Sequence, residues 1–177
     1  TLSSLNFNKI ASMNSPDMIQ KLSNEMISRG ILAELEAFDT GMINYAKYLT
    51  KKKLLHPPHY FNLLLGNIAC AQANLLHCGM MINELPESSY WSLAGIGNAQ
   101  LMINSIAIAA GGGVRIGLED NIWFDPERTQ PATNADLIRR IHHLAKANGR
   151  KIMSSKDLRK RLDLQPGNGK YGRLYNE

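Results

Sequence analysis

Apolar residues recur along this chain at two spacings that alternate. From Ser15 to Arg29, Met18, Ile19, Leu22, Met26 and Ile27 fall on one side of a helix. Ser15-Pro16-Asp17 is a start signal, with Ser15 as N-cap and Pro16 in the first turn, and Gly30 is a stop. Over Ile31 to Phe38 the period drops to two. Leu32, Glu34, Glu36 and Phe38 then share one face of a predicted strand, and Ile31, Ala33, Leu35 and Ala37 the other. One face is wholly apolar, and the other carries carboxylates. Asp39-Thr40-Gly41 turns into a helix that reaches Lys52, and Pro57-Pro58 breaks the chain. Tyr60 to Gly66 is a predicted strand and Gln72 to Leu85 mainly helix. Ser89 to Gly95 is a strand with Trp91 and Leu93 on one face, Ser92 and Ala94 on the other. Asn98 to Ala110 is an apolar helix, and Gly111-Gly112-Gly113 leads into a last strand. Thr133-Asn134-Ala135-Asp136 starts a helix to Ala147, Ser154 to Leu162 forms a short one, and the Gly-rich stretch from Pro166 is expected to be loose.

Alternating helices and strands predict parallel strands joined by crossover helices. Four strands with covering helices make half of an eight-fold (β/α) TIM barrel. The expected fold is therefore α/β, with residues 1–164 as the C-terminal half of a (β/α)8 barrel and 165–177 as a flexible tail. An open doubly wound sheet is the rival. It requires a Gly-rich phosphate turn after a strand, which Gly95-Ile96-Gly97 matches only in part. Inward-facing charges on two strands favour the barrel.

The 177 residues are 44% hydrophobic and 20% charged, a soluble globular profile with enough chain for one core. The greasiest stretch, Leu101 to Ala110, is too short to span a membrane. No signal-peptide pattern opens the chain. Cys70 and Cys78 form no Cys-x-x-Cys pair and are read as free thiols in a reducing cytoplasm. The net charge of +5 comes largely from the C-terminal region, among others Arg139, Arg140, Lys146, Arg150, Lys151, Arg159, Lys160, Arg161, Lys170 and Arg173. These bases are interleaved with leucines and few aromatics. They read as a solvated helix face, not as a nucleic-acid surface. The opening Thr1-Leu2-Ser3-Ser4-Leu5-Asn6-Phe7 reads as the end of a strand, so part of a longer chain is expected to precede it.

The chemistry concentrates in Gly113 to Asn121. As a strand, this segment puts Val114, Ile116 and Leu118 on one face and Arg115, Gly117 and Glu119 on the other. Burying such charges is costly unless they are paired or bind a metal. Charge at the end of a hydrophobic strand is how an α/β enzyme presents chemistry at the C-terminal rim of its sheet. A structural Arg–Glu pair closing a barrel end satisfies the same spacing, and both readings stand. The histidines, His56, His59, His77, His142 and His143, form no His-x-His and read as surface or packing residues.

Three separated blocks, Glu34-Leu35-Glu36-Ala37-Phe38-Asp39-Thr40-Gly41, Trp91-Ser92-Leu93-Ala94-Gly95-Ile96-Gly97 and Val114-Arg115-Ile116-Gly117-Leu118-Glu119-Asp120-Asn121, resemble the beta-keto acid cleavage enzyme family. Its type member is 3-keto-5-aminohexanoate cleavage enzyme of lysine fermentation. The likeness runs from Thr1 to about Leu164. It implies a TIM barrel and a zinc-dependent exchange of acyl portions between a beta-keto acid and acetyl-CoA, giving acetoacetate and a new CoA thioester. By that resemblance Glu119 is a metal ligand and Arg115, Asp120 and Glu36 are catalytic. Asp120 helps to activate the substrate for enolate-type chemistry, and Glu36 supports Arg115. Thr1, Ser4 and Asn6 match a Thr-x-Gly-Ser-x-Asn-Phe segment that lines the family's substrate pocket, with Ser3 replacing the glycine. The family's His-x-His zinc ligands have no counterpart here. They are expected from an N-terminal half, in cis or as a separate chain, within a cytoplasmic homo-oligomer that has no nucleic-acid or membrane partner. Two alternatives remain: a non-catalytic half-barrel interaction module or remnant, and another (β/α) barrel lyase or aldolase.

Overall fold

The computed structural model describes residues 1–164, so the tail expected over 165–177 lies outside the described residues. A short antiparallel hairpin, β1 (Leu5–Asn6) with β2 (Ala11–Ser12), opens the chain. Then come α1 (Pro16–Ser28), β3 (Glu34–Ala37), α2 (Thr40–Lys51), β4 (His59–Leu65), α3 (Leu75–Asn83) and β5 (Ser89–Gly95). A 3-10 turn at Gly97–Ala99 runs into α4 (Gln100–Ala109), followed by β6 (Gly113–Val114), α5 (Asn134–Ala147) and α6 (Ser155–Arg161). Strands β3 to β6 form a parallel four-stranded sheet in sequential order. The Leu2 N–H donates to the Glu36 carbonyl at 3.1 Å, so the opening residues lie along the outer edge of β3.

Parallel strands joined by helices are covered by those helices, which selects apolar residues facing them. Leu35, Ala37, Phe61, Leu63, Leu65 and Leu93 are buried in one core with Met42, Ile43 and Leu49 of α2, Met81 of α3 and Ile103 and Ala107 of α4. Each large side chain of this kind contributes about 1.5–3 kcal/mol on burial. Side-chain caps fix where most helices begin: Ser15 accepts from the Met18 N–H, Asp39 from Met42, Asn74 from His77, Thr133 from Asp136 and Ser154 from Asp157. Helix α4 has no side-chain cap.

Three elements are shorter than the sequence predicts. Ile31 to Phe38 reduces to Glu34–Ala37, because the Ile31 N–H turns back to the Met26 carbonyl at 2.8 Å and closes α1. The helix expected from Gln72 starts at Leu75, because the Gln72 N–H is taken by His77 Nδ1 at 2.6 Å and Asn74 supplies the cap. The strand expected over Gly113 to Asn121 ends almost at once. β5 stops at Gly95 and leaves the sheet through Gly97 at φ +60°, so beyond the Arg115 N–H, which reaches the Leu93 carbonyl at 3.1 Å, the ladder has no partner. Gly117 then turns the chain by accepting the Asp120 and Asn121 N–H groups, both at 3.3 Å.

Close packing at β6 yields a stability prediction. A Cβ on Gly112 would lie 1.9 Å from the Trp91 ring, whereas one on Gly79 of α3 would meet nothing within 4 Å. Gly112→Ala is expected to destabilise the chain by about 1–3 kcal/mol in denaturant unfolding. Gly79→Ala is expected to stabilise it by up to about 1 kcal/mol. Equal effects from the two would refute the packing at Gly112.

Candidate active site

Glu36 and Arg115 meet because sheet register puts them on one face. Glu36 pairs across to Asn62, Asn62 to Ser92 and Ser92 to Gly113, and Arg115 lies two residues beyond Gly113. This row opposes the core, and at its C-terminal end Arg115 becomes the centre of the site. Its Nη1 donates to Glu36 Oε1, its Nη2 to Glu119 Oε2 at 3.1 Å and its Nε to Asp120 Oδ2 at 3.3 Å. A planar guanidinium can serve several carboxylates in this way because its donors form a rigid fork. Glu36 Oε2 accepts the Thr1 hydroxyl at 3.0 Å.

The three carboxylates differ in their surroundings. Asp120 has a side chain only 7% exposed, while that of Glu119 is 84% exposed. The turn at Gly117 causes this, because it breaks the alternation that predicted Glu119 as an inward strand residue. Glu119 instead reaches Arg115 across one turn, at i and i+4. Burial pushes the Asp120 carboxyl above its ordinary value; the Arg115 charge and hydrogen bond oppose this, and the charges of Glu119 and Glu36 reinforce it. For Glu36 burial also acts upward, but the bonds from Arg115 and Thr1 and the Arg115 charge prevail and hold it below its ordinary value. Burial alone would lower the Arg115 pKa; its bond to Glu36 and the three nearby carboxylates raise it. Two carboxylates held by one cation are thus driven in opposite directions, a pattern that suits acid–base work.

The remaining expected residues are placed as follows. Ser4 Oγ accepts the Asn14 N–H at 2.8 Å and donates to the Asn14 carbonyl at 3.2 Å. Asn6 is exposed on β1. Thr1 alone of the three expected substrate residues therefore touches the Arg115 cluster. Of the apolar residues read on the other face of this segment, Val114 packs against the core, while Ile116 and Leu118 are half-buried. Among the described residues no group of three or more His, Cys, Asp or Glu could hold a metal ion, so these residues by themselves do not fit zinc. His59 is buried at the start of β4, at the opposite end of the strand from the cluster, and His142 and His143 are exposed on α5.

Sequence reasoning missed several polar residues. Asn62 is buried beside Glu36, its Nδ2 donates to Glu34 and its Oδ1 has no partner among the described residues. The Tyr60 and Ser92 hydroxyls are 3.0 Å apart on the same face. Gln100 and Asn104 are buried in α4 and bond the carbonyls of Gly117 and Arg115, both at 3.1 Å. A signal was available: two amides four residues apart in a largely apolar helix.

The Glu36 shift fixes the sign of a pH effect. Because its folded pKa is depressed, its contribution is present above the ordinary carboxyl value and is lost as pH falls through the folded value. Glu36→Gln is expected to cost about 1.5–3 kcal/mol near neutral pH, the range for a hydrogen bond to a charged group. In urea unfolding followed against pH, the difference from the parent should shrink in acid. A difference that grows in acid would contradict the assigned direction.

Comparison with known proteins gives a consistent result. The family model described as beta-keto acid cleavage enzyme matches residues 1–164. The 3-keto-5-aminohexanoate cleavage enzyme of Fusobacterium nucleatum is 35% identical over 86% of this chain and 55% of its own length. The 3-dehydrocarnitine:acetyl-CoA trimethylamine transferase of Rhizobium meliloti is 33% identical over 85% of this chain and 50% of its own length. The 3-oxoadipate:acetyl-CoA acetyltransferase of Cupriavidus necator is 29% identical over 91% of this chain and 57% of its own length. The chain spans about half the length of these curated relatives. With its parallel α/β sheet and its arginine-centred carboxylates, the chain belongs to the beta-keto acid cleavage enzyme family.

Proposed function

We propose that this chain forms the C-terminal half of a (β/α)8 barrel that exchanges acyl portions between a beta-keto acid and acetyl-CoA, giving acetoacetate and a new acyl-CoA. The observation that carries the reading is the single guanidinium of Arg115, which gathers Glu36, Glu119 and Asp120 at the C-terminal end of a parallel sheet. Catalysis in α/β barrels is sited at that end. The acyl-CoA names of the relatives support the reaction class.

In this reading Asp120 is the acid–base group. It lies against Arg115 with little water around it, and its raised pKa brings its basicity nearer to neutral pH. Arg115 fixes its charge and orientation, and Glu36 anchors Arg115 from β3. Thr1, Ser4 and Asn6 belong to the substrate-facing opening segment, and Thr1 is tied to the site through Glu36. Glu119, exposed at the rim, is the one residue of the chain proposed to touch a metal. The other donors of a zinc site would come from residues outside this chain, since such a site wants three protein ligands. Among the described residues no helix is long and apolar enough to cross a membrane. A cytoplasmic setting and a homo-oligomeric assembly complete the reading, the former supported by two free cysteines.

The test is acetoacetate formation from a beta-keto acid and acetyl-CoA by this chain joined to the N-terminal half of a relative. Asp120→Asn is expected to cut turnover by about 10²- to 10⁴-fold with zinc content unchanged. Glu119→Ala is expected to lower zinc content and activity together. Arg115→Lys is expected to be damaging as well, since an ammonium cannot replace the planar fork. Near-normal turnover in Asp120→Asn would reassign the base to Glu36. Elemental analysis of the 177-residue chain alone is expected to find no stoichiometric zinc; zinc that was bound and then lost on Glu119→Gln would show that one of the histidines is a ligand.

A further inference from the structure

The segment from Arg115 to Asp120 carries the charged groups, yet it has left the sheet and is held from the side. Three of its carbonyls are fastened from α4 and its 3-10 start, while its Leu118 N–H is held by Asn134 Oδ1 of α5 at 3.0 Å. The Gly97 N–H donates to the Asp120 carbonyl at 2.7 Å. Gln100 Nε2 donates to the Gly117 carbonyl at 3.1 Å, and Asn104 Nδ2 to the Arg115 carbonyl at 3.1 Å and the Leu93 carbonyl at 3.2 Å. Gln100 and Asn104, four residues apart, share one face of α4, and Gly97 precedes them in its 3-10 start. The donors therefore form a stripe along α4 and its 3-10 start, and the carbonyls run past it in the opposite direction. Gln100 and Asn104 are almost fully buried, and Asn104 Oδ1 has no partner among the described residues. A buried amide with an idle acceptor is disfavoured by packing alone. Its retained half is the one that reaches the Arg115 backbone.

We propose that this stripe on α4 is the positioning device of the site: Gln100 and Asn104 are positioning residues that set the turn from which Arg115 and Asp120 are presented. They touch no reacting atom. They act by holding the backbone where the sheet no longer can. Gly97 takes part through its backbone N–H, at a turn where its φ is +60°. The catalytic consequence rests on the function proposed above; the positioning itself does not.

The test uses the 177-residue chain labelled for NMR, with Gln100→Met and Asn104→Leu, which keep approximate volume and remove the donors. Ile103→Val, on the same helix but outside the stripe, is the control for simple loosening of packing. In each donor variant that keeps the parent's β4 and β5 amide signals, the Arg115 Nε–H is expected to exchange with water about 10-fold faster or more. Ile103→Val is expected to leave that exchange rate unchanged. Unchanged exchange in a folded Gln100→Met or Asn104→Leu would overturn the proposal, as would an equal change in Ile103→Val. If Asn104→Leu does not fold, Gln100→Met decides alone. In the completed enzyme the same variants are expected to lower kcat by up to about 10²-fold with the KM for acetyl-CoA unchanged. An inactive parent would sink the proposed function while the exchange measurement still decides the role of the stripe.

Discussion

The site depends on keeping the Arg115 guanidinium charged where little water reaches it. A cation in that position must be surrounded by acceptors, and the chain supplies Glu36 from the strand on the far side of the sheet, Asp120 from the following turn and Glu119 from the rim. The link to Glu36 crosses 79 residues of sequence and spans the width of the four-stranded sheet. It therefore ties the outer edge strand β3 to the opposite edge strand β6, and the two halves of the site to each other. Without Arg115, Asp120 would lose the charge that opposes its burial, and Glu36 would lose the guanidinium that holds it together with the Thr1 hydroxyl.

That constraint explains features that look unrelated. β6 need only be long enough to launch Arg115 on the correct face, so two paired residues suffice. The following turn must be rigid although it lies outside the sheet, and α4 provides the rigidity with buried amides. Asp120 lies against Arg115 and is shielded, whereas Glu119 on the same short turn bonds Arg115 and is exposed. One peptide segment thus presents a shielded carboxylate and an accessible one, with one arginine between them. On the reading proposed for this family member, that division separates proton chemistry from contact with groups brought by the rest of the enzyme.

Much of this was legible in the sequence. The change between spacings of 3.6 and two residues located every major helix and the parallel strands, because amphipathic patterns are local consequences of which face is buried. The same alternation put Glu36 and Arg115 on charged faces opposite apolar ones. Where the reading failed, the cause was a neighbour. The alternation through Val114, Ile116 and Leu118 could continue only if β5 continued beside it, and β5 ends at Gly95. Glu119 was therefore expected on a strand and lies on an exposed turn, bonded to Arg115. Gln100 and Asn104 escaped notice because their helix was read as an apolar one, although two amides four residues apart stand in it, and their partners are backbone carbonyls.

The claim that one guanidinium couples the two edges of the sheet is tested most directly by a double-mutant cycle between Glu36 and Arg115, with Glu36→Leu, Arg115→Met and the double variant compared in denaturant unfolding at neutral pH. A direct pair of this kind should show a coupling energy of about 0.5–3 kcal/mol, the double variant being less destabilised than the sum of the single ones. Additivity within about 0.3 kcal/mol would mean that Glu36 and Arg115 act independently, and would contradict the arrangement on which this account rests.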